Sequence, residues 1–287
     1  MPIHSRWEVP VDVCSFQTYL FGKPGTALSD KPSFLDADRP DTHYLTQEGF
    51  KLWSQRLAVG LRKAGLQPED RVLLFSGNNI WFPVVFVGVL MAGGIFTGAN
   101  PGYVARELAY QLKDSGAKFL FCADASLELG VEAAESIGMS KDRIFRFDDE
   151  VFEGTGISRL GVRNWNTLLA PKAESENFVW HEPKDAKDAI CCLNYSSGTT
   201  GVPKGVMITH YNYVANAIQF KHLSELHPQE KERTKKASVP TPTVRTETDS
   251  YSQKMVMLPP HVPRDGADNI HSGWSEEGDS SVHHEEI

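Results

Sequence analysis

Between Thr46 and Ala64 the apolar residues Phe50, Trp53, Leu57 and Leu61 recur three and four positions apart and so share one helical face. Thr46 can cap the start and Gly65 stands where a helix ends, so the stretch predicts an amphipathic helix. Arg71 to Phe75 reads as a short buried strand, with Gly77-Asn78-Asn79 as the loop leaving it. From Ile80 to Asn100 there is no charge, but Pro83, Gly88, Gly93, Gly94 and Gly98 interrupt the run. The pattern predicts a buried helix, Trp81 to Ala92, that stops at the glycine pair and feeds a strand, Ile95 to Thr97.

The alternation continues. Ala105, Leu108, Ala109 and Leu112 mark a second amphipathic helix, Lys118 to Cys122 a strand, Ser126 to Ile137 a helix and Arg143 to Phe147 a further strand. Trp165, Leu168 and Leu169 suggest a short helix, Lys172 to Asp188 is charged and reads as exposed, and Ala189 to Leu193 would suit a buried strand. His210 to about Leu226 should be helical, with Tyr213, Ala217 and Phe220 on one side. Residues 1–45, with five spaced prolines, fit short strands and turns. Strands alternating with helices imply parallel pairing through right-handed crossovers, hence an α/β fold with parallel sheets flanked by helices.

Composition narrows the partners more than the fold. The 287 residues carry a net charge of -8, and residues 238–287 hold nine Asp/Glu against three Lys/Arg, so the rest is nearly neutral. That balance argues against a nucleic-acid partner. The flanks of residues 80–100 lack a basic cluster and the run is broken by glycines, so no stable membrane insertion is expected. Cys14, Cys122, Cys191 and Cys192 show no metal-type spacing, and no secretory signal opens the chain. Reduced thiols in an intracellular, cytoplasmic protein follow as the expectation. Asp148-Asp149-Glu150 reads as a solvated edge and not a metal cluster, because three successive carboxylates point different ways.

The chemistry concentrates in Asn194 to Val206, Asn-Tyr-Ser-Ser-Gly-Thr-Thr-Gly-Val-Pro-Lys-Gly-Val. Glycines let a backbone fold its N–H groups around one concavity, hydroxyls add uncharged donors, and a lysine adds a point charge, which together suit phosphate. The P-loop spacing fails: Gly198 and Lys204 are six apart, and a glycine, not a hydroxyl, follows the lysine. A flexible linker is the bland alternative, but linkers seldom carry a lysine between a proline and a glycine at the mouth of a strand.

Tyr195-Ser196-Ser197-Gly198-Thr199-Thr200-Gly201-x-Pro203-Lys204-Gly205-Val206, followed by Thr209-His210-x-Asn212, resembles the signature loop of the adenylate-forming (AMP-binding) enzymes, and most of all their 4-coumarate-CoA ligase-like branch. The resemblance implies ATP-dependent adenylation of a small-molecule carboxylic acid followed by thioester formation with coenzyme A, with Mg2+ as the accompanying ion. Carried over by position, it implies ATP phosphate contacts from Ser196, Ser197, Gly198, Thr199, Thr200 and Lys204, with Gly201 and Gly205 serving the backbone path. It also implies that the Thr-His-x-Asn run begins a helix behind the loop, making His210 structural and not catalytic.

The resemblance covers only the N-terminal part of such an enzyme and stops near Ala237. Residues 1–237 thus read as a partial adenylation domain. Residues 238–287, with five prolines, seven serines and no phenylalanine, read as an unrelated, disordered acidic tail in which Met255-Val256-Met257-Leu258 is an incidental apolar cluster. The segments that the family uses for adenine, ribose and the catalytic lysine are not recognised, so no catalytic residue is assigned. A truncated ligase with little or no activity is the expectation, and a non-catalytic nucleotide-binding or regulatory fragment is the alternative. The chain ends His-Glu-Glu-Ile, which is not a peroxisomal address. The acid substrate is not legible.

Overall fold

The computed structural model describes residues 8–23, 25–149, 159–196, 203–226 and 255–257. A seven-stranded sheet organises them. In chain order its strands are β3 (Arg71–Phe75), β4 (Ile95–Ala99), β5 (Ala117–Ala123), β6 (Ile144–Phe147), β7 (Arg163–Asn164), β8 (Ile190–Ser196) and β9 (Lys204–Thr209). Their spatial order is β7-β6-β5-β3-β4-β8-β9. Every neighbouring pair from β7 to β8 is parallel, and only β9 runs antiparallel, folding back on β8. The sheet is therefore mixed and mostly parallel, and the hairpin at its end is the one departure from the parallel pattern expected of the sequence.

The central strands β3 and β5 are buried on both faces, which is why they read as nearly continuous apolar runs. On β3, Val72 and Leu74 join one hydrophobic cluster while Leu73 and Phe75 join the other, and on β5 Phe119 and Phe121 separate from Leu120 and Cys122 in the same way. Helices α2 (Gln47–Lys63) and α3 (Phe82–Ala92) cover the first face, whereas α4 (Ala105–Ser115) and α5 (Leu127–Ser136) cover the second. Thr46 caps α2 by accepting the Gly49 N–H at 2.9 Å. Helix α3 is apolar all round because it lies beneath α2, where Gly88 lets the two backbones approach: a Cβ there would sit 3.1 Å from the Ser54 carbonyl oxygen. It ends at Gly93, whose φ of 91° is the left-handed C-cap conformation. No helix among the described residues is long and apolar enough to cross a membrane.

Four segments differ from the sequence reading. A six-residue helix, α1 (Phe16–Phe21), opens the described chain, capped by Ser15. The stretch 172–188 is not simply exposed: after the short helix α6 (Lys172–Ser175), Phe178 and Trp180 pack against the core, and Glu182 accepts hydrogen bonds from Ser15 and Thr18. Its charged residues tie down the N-terminal segment while its aromatics reach inward. Asp148 is not on a solvated edge either, since it pairs with buried Arg146 at 2.8 Å and accepts from Asn164 at 2.8 Å; Asp149 turns the other way, to Arg39. Finally, Met255–Met257 forms a strand, β10, antiparallel to β1 (Pro32–Asp36), which also pairs with β2 (Tyr44–Thr46). The cluster read as incidental thus completes a small second sheet by backbone pairing. The remainder of 238–287 lies outside the described residues.

Candidate functional site

All parallel strands deliver their carboxyl ends to one side of the sheet, the side on which ligands bind in open α/β architectures. Strand β8 ends there at Ser196, next to β4, whose Gly98 pairs with Asn194. The chain then returns as β9, with Asn194 opposite Val206, Tyr195 opposite Gly205 and Ser196 opposite Lys204. Ser196 and Lys204 therefore face each other at the mouth of the loop that joins the two strands. Both are exposed. Among the described residues no carboxylate pairs with Lys204, so its ammonium is available to an anion. Ser197, Gly198, Thr199, Thr200 and Gly201 lie outside the described residues.

Gly205 has a local reason that a loop-path role does not capture. A Cβ there would lie 3.0 Å from Cζ of Tyr195, so the tyrosine ring crosses over this bare backbone position. Beyond it, the Tyr195 hydroxyl donates to Asp114 Oδ2 at 2.6 Å. Burial, and then the bond to Asp114, raise the phenol's pKa and keep it protonated. The Tyr110 hydroxyl donates to the Pro203 carbonyl at 3.2 Å. Sequence reasoning missed both α4 partners. They stand 81 and 93 positions from the residues they hold, and no local periodicity carries such a pairing.

Behind the hairpin, α7 (His210–Leu226) starts with a reciprocal cap. The Asn212 N–H donates to Thr209 Oγ1 at 3.2 Å while the Thr209 N–H donates to Asn212 Oδ1 at 3.1 Å. His210 is buried, and its Nδ1 accepts the Phe16 N–H at 3.1 Å. Burial pulls its pKa down to about 4, with Glu182 acting in the opposite sense and His181 in the same one. A buried, neutral imidazole whose Nδ1 accepts a backbone N–H is a structural group, so the Thr-His-x-Asn run is a helix start that also fastens α1. The cysteines are free, and burial pushes the thiols of Cys192 and Cys122 up to about 11 and 12 and raises that of Cys191 as well. They are packing residues.

A family model for the AMP-binding enzymes matches residues 25–242. The chain is 36% identical over 214 residues to the acyl-CoA ligase azaF of Aspergillus niger, covering 74% of this chain and 38% of that one. It is 32% identical over 192 residues to a 4-coumarate–CoA ligase of Pinus taeda, covering 67% of this chain and 33% of the pine protein. Among solved structures it is similar to a benzoate CoA ligase from Burkholderia xenovorans LB400, with a TM-score of 0.53 and 26% identity over 71% of this chain and 36% of that one. The fold and the loop-bearing hairpin define an adenylate-forming scaffold. The chain belongs to the AMP-binding enzyme family, and it spans about 38% of the length of the fungal relative.

Proposed function

We propose that the loop between β8 and β9 is an ATP phosphate cradle, and that the chain is the phosphate-binding portion of an acyl- or aryl-CoA ligase. The supporting observation is the hairpin mouth: Ser196 opposite Lys204 at the carboxyl end of β8, the lysine solvent-facing and without a carboxylate partner among the described residues. Those two residues fit a polyphosphate chain, one as a neutral donor and the other as a point charge. Ser197, Gly198, Thr199 and Thr200 are assigned to the same cradle from the motif alone.

ATP, when bound, supplies the α-phosphorus attacked by a carboxylate, with pyrophosphate as leaving group. The role left to this chain is electrostatic. Lys204 and the Ser196 hydroxyl hold negative charge on the outer phosphates, and fixed donors aimed at developing charge are typically worth about 3 kcal/mol each when removed. Among the described residues no group of three His, Cys, Asp or Glu side chains could hold a metal ion, so Mg2+ is assigned no protein ligand there. Coenzyme A and the carboxylic acid belong to the proposed reaction as substrates. The pine and fungal relatives differ little in identity to the chain, so the proposal covers acyl and aryl acids together and singles out no 4-coumarate-type preference.

Carboxylate-dependent ATP–pyrophosphate exchange on the purified 287-residue protein tests the reading. We expect ATP binding with little exchange, since most of the positioning that makes adenylation fast would come from groups beyond this loop. Robust exchange would refute the expectation of low activity, and absence of any ATP binding would refute the cradle itself.

A further inference from the structure

Helix α4 touches the hairpin on both sides of the loop. Tyr110 and Asp114 stand four apart, hence one above the other on a single helical face. Tyr110 holds the carbonyl of Pro203, the residue before Lys204, and Asp114 holds the hydroxyl of Tyr195, the residue before Ser196. Each member of the Ser196–Lys204 pair is therefore preceded by a residue that α4 grips. The Tyr195–Asp114 contact, at 2.6 Å between a phenol and a carboxylate oxygen, is of the short, charge-assisted kind. Its geometry depends on Gly205, because the ring passes over that backbone at 3.0 Å from where a Cβ would be.

The helix is itself fixed to the sheet at the same level. Buried Gln111, on the turn between the two grips, donates from Nε2 to Thr97 Oγ1 at 3.0 Å and to the Gly98 carbonyl at 3.1 Å. Thr97 in turn donates to the Leu193 carbonyl at 2.8 Å, which ties β4 to β8 just before the hairpin opens. A continuous polar chain thus runs from α4 through β4 into β8, and two direct contacts run from α4 to the hairpin arms. Asp114 spends its charge on a neutral phenol and leaves Lys204 unneutralised. The arrangement orients the hairpin without competing for its cation.

From this geometry we infer that Asp114, Tyr195 and Tyr110 are positioning residues that set the hairpin for phosphate binding, a clasp on α4 through which Ser196 and Lys204 are held at the loop mouth. The inference rests on the phosphate-cradle reading. Asp114 and Tyr195 act on the ligand only through their neighbours Ser196 and Lys204.

Tyr195→Phe, which removes the donor, and Asp114→Ala, which removes the acceptor, test it, alongside the double variant. Three quantities are measured on the whole protein: thermal midpoint, dissociation constants for Mg·ATP and for inorganic pyrophosphate, and amide exchange at residues 190–209 without ligand. Each single variant should weaken both ligands about 10-fold, the double variant no more than the worse single one, as for two halves of one charge-assisted bond. Exchange should quicken within the hairpin while the midpoint stays near wild type. Unchanged hairpin exchange overturns the clasp, as does weakened affinity accompanied by an equal loss of protection throughout the protein. If wild type binds neither ligand, the cradle falls and the positioning role with it, while the exchange comparison still decides whether the clasp holds the hairpin.

Discussion

Lowering the pH from 7 to 5 should destabilise this protein through one histidine. His210 sits 5% exposed with Nδ1 accepting the Phe16 N–H, a bond that a protonated imidazole cannot make. Its pKa falls from 6.5 to about 4 on folding, chiefly through burial, with Glu182 opposing and His181 reinforcing the shift. The unfolded chain therefore takes up a proton near pH 6.5, which the folded chain refuses until about pH 4. The stabilisation is complete above the unfolded value and is lost as pH falls through the folded one. In full it amounts to about 3 kcal/mol, and about 2 kcal/mol of it disappears between pH 7 and pH 5. His210→Asn keeps an acceptor near Nδ1 but does not titrate. Urea denaturation at the two pH values should show wild type losing about 2 kcal/mol more than this variant. Equal losses in the two proteins would refute the assignment of a neutral, backbone-bound imidazole.

Other expectations follow from packing and capping. Gly60→Ala places a Cβ 1.5 Å from the Leu168 carbonyl oxygen, a backbone atom that cannot step aside. It should cost about 3 kcal/mol in chemical denaturation. Thr209→Ala removes half of the reciprocal cap on α7 and should cost about 1 kcal/mol, a loss that Thr209→Ser restores. Under native conditions a thiol reagent should leave Cys122, Cys191 and Cys192 unmodified, reacting with them only after urea unfolding. Fast native modification of all four cysteines would contradict the packing described for β5 and β8.

Much of the scaffold was legible because its elements are short-range objects. Residues 71–75 form a strand with the bounds that an apolar run between turn residues suggests, and α2 begins after the capping threonine its sequence offers. Helix α3 starts one residue later than its pattern implied, with Trp81 as N-cap. Strand β9 was not legible. Val206 and Met207 remain exposed on it, so no burial alternation marks the strand, and its antiparallel return is set by pairing with β8. The segment 172–188 misled for a related reason: its charges dominate the composition, yet Phe178 and Trp180 find the core and Glu182 finds Ser15, 167 positions away. Met255–Met257 pairs through its backbone with β1, and backbone pairing leaves no signature in a four-residue apolar run.

The site divides along the same line. The residue types in the motif pointed to phosphate chemistry, and the order of Ser196 and Lys204 along the chain placed them at either end of one loop. That they face each other across a hairpin, and that α4 grips the arms, are tertiary facts. Gly205 is the instructive residue. Its place in the motif suggests backbone freedom, while the structure gives it the task of making room for the Tyr195 ring.

The cradle itself is tested most directly by titrating Mg·ATP and inorganic pyrophosphate into wild type and Lys204→Gln at fixed ionic strength. Wild type should bind both, and the substitution should weaken both by 10-fold or more, since it removes a charge-assisted contact worth about 1.5–3 kcal/mol. Equal affinities in the two proteins would contradict the assignment of Lys204 to the phosphates.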